Sequence, residues 1–581
     1  MSPTPNFDLK VKTILDVLKP GERMCAITGE KWMMTEEEIG WYKKFNVPPS
    51  RVSPQTRWKI HGSWFVGFQF WTQKHPETGA PIIGTIHPAT GYKMLPDKEW
   101  FSKDFTCYGR TYDPAQPFFT QFHALQLDVP MLGSRNHIEP INSIAVVSQG
   151  DENSYFVCAC KSKNTFVGHV AMNVEDSAEL YYCDNVTRSF NVAHASRIFD
   201  SQFVRSSRDC LSCAFLFDCR NCEYCFGAVN RRNAKYLWMN EQLTKDEWEK
   251  RRAEVDLGST SVVEWWKKAF RDLMDTQAVW PENWNEQCLD STGEFLNQAT
   301  NVHETYISGS GSGKNLYRCN FSIGDSENNA FCGYPVWATN NLYCISVNRS
   351  NECRYSMLCI QSQGMEYSFM CYNCENCFGC TGLQRKKFCI FNKEYAEEEY
   401  WKRVDELKCA MLERGEYGEF FPVSQSPSYY ADASGIWWFG STHEEMKEKF
   451  QVLDYAPESC GAIGMELADA KNLRDVSELP DHVKDLSAWI GVPLFDHYAQ
   501  RRFALLEPEV KLYQNLGSFP SRKHFIARMR DLWMDSNRGV FVPARCDKCQ
   551  KPLMVADNLN YPSRRFLCRE DYLKHLEQHG S

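Results

Sequence analysis

The sequence predicts a mainly β protein with some α: two short β-solenoid-like repeat units capped by helices, flanked by degenerate and intact zinc-ribbon-like modules. Three observations carry this prediction. A cysteine-rich motif occurs twice at an offset of 152 residues, the two ends of the chain match each other at an offset of 471, and short aromatic or aliphatic segments recur at intervals of about 9 to 13 residues between them.

The chain has 581 residues, of which 43% are hydrophobic, 24% charged and 14% aromatic, with a formal net charge of −9. At roughly 150 residues per domain, several domains are expected. The opening MSPTPNFDLKVKTILDVLKPGER lacks an apolar signal-type core, and no run of about 18 apolar residues is present, so the expectation is a cytoplasmic protein without membrane insertion. In a reducing compartment its 26 cysteines are expected as thiols or metal ligands rather than disulfides. The acidic balance argues against a strong global attraction to nucleic acid.

Taken in order, the chain divides into an N-terminal degenerate ribbon-like module (1–107), a first solenoid-like unit with its capping helix (108–257), a helical linker (258–299), a second such unit (300–415), a mixed linker (416–502) and a C-terminal module with a zinc ribbon (503–581). The end modules are paired by Glu38/Glu509, Tyr42/Tyr513, Pro49/Pro520, Ser50/Ser521, Arg51/Arg522 and Arg57/Arg528. Carboxylates such as Glu36, Glu38, Asp151 and Glu152 lie in runs that read as solvated surface.

In the middle, NCEYCFGAVNRRNAKYLWMN (221–240) recurs as NCENCFGCTGLQRKKFCIFN (373–392), keeping Asn, Cys, Glu, Cys, Phe, Gly, Lys and Asn in register. A helix follows each copy; in the first, Thr244 and Glu247 make a capping box. Upstream, NLYRC, NNAFC and NNLYC are typical segments. Asn suits a left-handed corner, and Cys, Ala and Ser are small enough to stack inside a narrow coil.

The best metal pattern is C-terminal. Cys546 and Cys549 precede Cys568 and Asp571, two knuckles that can close a tetrahedron around zinc, with His575 and His579 as substitutes for the oxygen ligand. Cys371, Cys374, Cys377 and Cys380 resemble an iron–sulfur run but are one residue short and lack its proline; the first copy has Ala228 where the fourth cysteine would stand. Stacked structural thiols are preferred there to zinc, and zinc to iron–sulfur. Arg522, Lys523, His524, Arg528 and Arg530 form a candidate basic patch for nucleic-acid phosphates. SGSGSGKN (308–315) fails as a phosphate loop, because Ser308 replaces its first glycine and Asn315 its hydroxyl residue. No catalytic constellation is found.

The NCxxCFG motif running into KKFCIFNKEYAEEEYWKRVDELK, with WYKKFNVPPSR and YGRTYDPAQPFFTQFHALQLDVP, resembles an uncharacterised cysteine-rich family of candidate-phyla-radiation bacteria. The resemblance implies paired zinc ribbons around cysteine-rich repeats, and no activity. This chain departs from the pattern: Cys25, Thr28, Ser53 and Thr56 stand at the ligand positions of the first ribbon, and Asp496, Ala499, His524 and Ala527 at their duplicates, so both are expected to be metal-free. The expected function is a non-enzymatic scaffold that binds other proteins or copies of itself. The alternatives are a zinc-ribbon nucleic-acid binder and an iron–sulfur or thiol redox protein.

Overall fold

The structure, a computed structural model, describes residues 3–65, 67–309, 311–455 and 472–580. It is mixed α/β, 28% helix and 31% strand, with a large, mainly parallel sheet. The balance shifts away from mainly β because both end modules and the connections between units are helical.

The middle of the chain returns to pair with itself every twelve residues. Ala178 pairs with Phe190, Gln202 pairs with Ala214, and Ala214 with Phe226, all in parallel. Isolated bridges keep the same step from Thr339↔Asn351 through Phe378↔Ile390. The backbone cause is local. Every third residue from Asn164 to Tyr236, and again from Asn328 to Phe391, has a positive φ near 50–70°. Four three-residue sides therefore close one coil. Asn and Asp occupy many of these corners at little cost, but Val167, Phe215 and Tyr355 do too. At such bulky corners the strain is offset by backbone bonds between coils, such as Tyr343 N–H to Ala330 O (2.9 Å) and Tyr355 N–H to Leu342 O (3.1 Å).

Each side sends one side chain inward, so the interior is a column of small residues. Val204, Cys210, Cys213, Leu216, Cys219, Cys222 and Cys225 fill the first stack, and Cys344, Cys353, Cys359, Met365 and Cys371 the second.

The coil register differs from the expected boundaries at both entrances. In the first unit it begins at Ile138; residues Phe118–Asp128 form a helix packed on the second stack, where Phe118 meets Phe378 and Phe391. In the second it begins at Glu286, inside the stretch expected as a helical linker, where the helix Thr260–Gln277 ends first. Each stack ends in a short hairpin and then a helix, Lys245–Ala253 or Glu397–Glu413, the former with the Thr244/Glu247 capping box.

The two stacks lie side by side and run in opposite directions. Arg208 in the first reaches Glu286 at the start of the second, His194 lies on Phe295, and Cys158 shares a buried cluster with Tyr334. The end modules are exchanged across them. Phe7, Tyr42 and Trp64 of the N-terminal module pack on Tyr343, Tyr355 and Phe369 of the second stack, whereas Val510, Tyr513 and Phe519 pack on Phe190, Phe203 and Phe215 of the first. Among the described residues no helix is long and apolar enough to cross a membrane.

Candidate metal centre

Four hairpins in the end modules share one turn geometry. Each begins with a potential ligand and places a residue with positive φ four positions later: Cys25 and Gly29, His75 and Gly79, Asp496 and Gln500, Cys546 and Gln550. In three of them that later N–H bonds back to the carbonyl of the first residue, at 2.9 Å for Gly29, 3.0 Å for Gly79 and 2.9 Å for Gln550. Such a turn points backbone N–H groups and ligand atoms at one spot, the arrangement a knuckle needs.

Only the fourth hairpin carries a metal-type donor set. The strands Arg538–Arg545 and Pro552–Asp557 present Cys546 and Cys549. The strand Phe566–Leu567, held in parallel to Trp280–Pro281, delivers Cys568 to the N-cap of the helix Arg569–His579, and Asp571 lies in its first turn. One atom from each of the four lies within 4.8 Å of all the others. Cys546 Sγ and Cys568 Sγ are 3.2 and 3.3 Å from Asp571 Oδ2, and Cys549 Sγ is 3.8 Å from Cys568 Sγ. A tetrahedron with Zn–S bonds of about 2.3 Å has S···S edges of about 3.8 Å, so the set fits a metal ion such as zinc. Without metal the thiols hydrogen-bond the carboxylate. Accepting from Cys549, Cys546 and Cys568 holds the Asp571 carboxyl down to about 2, and the bond to Asp571 pushes the Cys549 thiol up to about 12. His575 and His579 stay outside the set, 4.9 Å from each other.

The other three hairpins substitute hydrogen bonds for ligands. In the first, Ser53 Oγ donates to Glu30 (2.5 Å) and lies 2.8 Å from Thr56 Oγ1, with Cys25 Sγ 3.6 Å from Thr56 Oγ1. In the second, His75 Nε2 lies 2.8 Å from Glu99, while His75 Nδ1 accepts from the Glu77 and Thr78 N–H groups. In the third, Asp496 accepts N–H bonds from Tyr498, Ala499 and His524 at 2.8 to 3.1 Å. An anionic carboxylate there takes the same donors that a thiolate would.

Cys371, Cys374, Cys377 and Cys380 occupy the four successive sides of one coil, all buried and all pointing inward. Their thiols meet main-chain carbonyls: Cys374 with Tyr372 O (3.4 Å), Cys377 with Glu375 O (3.5 Å), Cys380 with Cys389 O (3.3 Å). Among the described residues they do not form a ligand cluster.

The five basic candidates do not converge on one solvent-facing patch. Arg528 is buried, with Nη1 donating to Tyr513 Oη (2.7 Å) and to Glu509. His524 is buried, and burial holds its imidazole well below the usual range. Arg530 donates to the buried Asp432, Lys523 to Asp531 (2.6 Å), and Arg522 to Ser477 O (3.5 Å).

The surface reading of Glu38 is corrected: it is fully buried, accepting from Arg57 (2.5 Å), Tyr42 (2.8 Å) and Arg318 (2.9 Å). Asp151 is buried as well, accepting from Ser162 (2.5 Å). The signal for the buried triads was present in the identities shared at offset 471, Glu38/Glu509, Tyr42/Tyr513 and Arg57/Arg528, which are the three members of each network.

No protein-family model and no curated protein matches this chain.

Proposed function

We propose that this protein is a non-enzymatic scaffold: two β-solenoid-like units, locked side by side between ribbon-like end modules, that mediate protein–protein assembly, with one structural zinc at Cys546, Cys549, Cys568 and Asp571. Its likeness to the cysteine-rich repeat family is part of this reading. The observation that carries it is the placement of large apolar side chains on the outer hairpins of both end modules: Met24 is 66% exposed, Met33 58% and Met554 60%. Elsewhere, charges that could serve chemistry are consumed internally, as in Glu366 with Lys408 (3.0 Å) and Tyr417 (2.8 Å). Exposed apolar groups on the hairpins of both end modules suit a subunit that meets other chains.

Native mass spectrometry and affinity purification of the full chain test this. An oligomer or a stoichiometric protein partner is expected, lost in a Met24→Glu, Met33→Glu, Met554→Glu variant of unchanged melting temperature. A strict monomer that purifies alone overturns the proposal. Four filled protein ligands leave no open coordination position, which suits a structural zinc and not a catalytic one.

A further inference from the structure

A cleft of about 560 Å³, open to solvent, lies between the two coil stacks, and neither the metal centre nor the assembly proposal uses it. Its base is aromatic. Tyr182 and His194 are neighbours in one column of the first stack, with ring centroids 5.2 Å apart, and Phe295 of the second stack lies on His194 at 4.4 Å and 8°. His194 Nε2 is buried without a hydrogen-bond partner, and burial keeps the imidazole neutral.

The walls are polar and regular. Asp184, Ser196, Arg208 and Arg220 follow one another at twelve-residue steps along the first stack, so they present hydrogen-bonding groups about 4.8 Å apart. Glu286 and Asn297 of the second stack, with Trp284 just before it, line the other side. The two guanidinium groups already face carboxylates, and Asp184 is held by amides. Arg208 donates to both oxygens of Glu286 at 2.8 and 2.9 Å, Arg220 faces Asp218 at 3.6 Å, and Asp184 accepts from Asn173 (3.1 Å) and Asn185 (2.6 Å). An anion entering here would compete with carboxylates for the same guanidinium groups, so phosphates and nucleotides gain little. A ligand with many hydroxyls, no net charge and a weakly polar ring face can use donors and acceptors on both walls together with the half-buried Trp284 ring.

We propose that the cleft between the two stacks binds a neutral oligosaccharide, its sugar rings laid along the Asp184–Ser196–Arg208 column with Trp284 opposite. The proposal stands apart from the scaffold reading and does not depend on it.

The test uses the full chain with cellohexaose, xylohexaose, maltohexaose and chitohexaose as probes, in saturation-transfer NMR and calorimetry. Binding of at least one with a sub-millimolar Kd is expected, weakened about tenfold by Asp184→Asn through loss of a charged acceptor and abolished by Ser196→Trp, which fills the cleft. If Ser196→Trp lowers the melting temperature sharply, Asp184→Asn alone decides. Absence of binding by all four at millimolar concentration overturns the proposal. So does binding that neither substitution weakens, or tighter binding of ATP or inorganic phosphate at the same residues.

Discussion

At the scale of single residues, buried charge decides most. The two triads, Glu38–Tyr42–Arg57 and Glu509–Tyr513–Arg528, are copies, but Glu38 has a second cation, Arg318, at 2.9 Å. Removing one partner of a buried pair costs about 3–5 kcal/mol because the other charge is left unpaired. Arg528→Met is therefore expected to lower stability by that amount and Arg57→Met by less, as read by chemical denaturation. Glu294 gives a pH dependence. Burial raises its carboxyl to about 7, with one oxygen accepting from Asn537 (2.8 Å). An acid whose folded pKa is raised favours the folded state while protonated, so that contribution is full below about pH 4.5 and lost as the pH rises through 7. Glu294→Gln is expected to raise the melting temperature at pH 8 and leave it nearly unchanged at pH 4. At the metal centre, Asp571→Asn removes an anionic ligand and is expected to weaken zinc binding at least tenfold, on the order of the effect of disturbing a ligand's support. Metal content after dialysis against a chelator reads this directly. Zinc release should rise with acidity, since protons compete for the three thiolates.

At the scale of elements, the repeated NCxxCFG motif is explained residue by residue. The cysteine of each NC and the CFG cysteine point inward as Cys222 and Cys225, or Cys374 and Cys377. Glu223 pairs with Lys235 (2.8 Å), and Glu375 with Lys387, one coil apart. Asn240 and Asn392 accept from the N–H groups of Val229 and Thr381 at 3.0 and 2.9 Å, closing the last coil. The glycine has two reasons to be there. Gly227 and Gly379 have φ of +69° and +60°, and a Cβ would come within 2.3 Å of Met239 Sδ in the first and 2.9 Å of Phe391 Cε2 in the second. Ala at either position is expected to cost about 1–3 kcal/mol, with Gly227→Ala the milder if the flexible Met239 side chain moves aside. Thermal melts of both variants check this. The fourth cysteine, Cys380, has Ala228 as its counterpart because the position asks only for a small inward side chain.

At the scale of the whole molecule, the exchange of end modules is the governing fact. The N-terminal helix Pro5–Asp16 docks on Glu397–Glu413, where Phe7 N–H and Asn6 Nδ2 donate to Asp405 at 2.9 and 2.7 Å, and Phe7 lies 4.6 Å from Tyr417. The C-terminal helix reaches back the other way, with Tyr572 donating to the buried Asp218 of the first stack and Arg232 N–H bonding Gly580 O (2.5 Å). Phe7→Ala removes a fully buried ring and is expected to cost about 3–5 kcal/mol. Its signature should be spatial: hydrogen-exchange protection falls across residues 315–390 of the distant second stack and holds across 166–229 of the first, which is nearer in sequence. Equal loss in both stacks would contradict the exchanged packing.

Much of this was legible in the sequence because it is written locally. Small inward residues and Asn-rich corners recur at intervals of about 9 to 13 residues along each unit, and the paired C-x-x-C and C-x-x-D spacings mark the hairpin that, among the described residues, carries a metal donor set; the exact twelve-residue coil of four three-residue sides is seen only in the structure. The opening coils were misplaced because residues 286–299 enter the same backbone geometry without the Asn-aromatic-Cys pattern. The burial of Glu38, the internal use of Arg528 and the cleft above His194 depend on which surfaces meet across hundreds of residues. Side-chain type and spacing fix the conformation of a coil or knuckle; only long-range packing decides which charges lose their water and therefore must find each other.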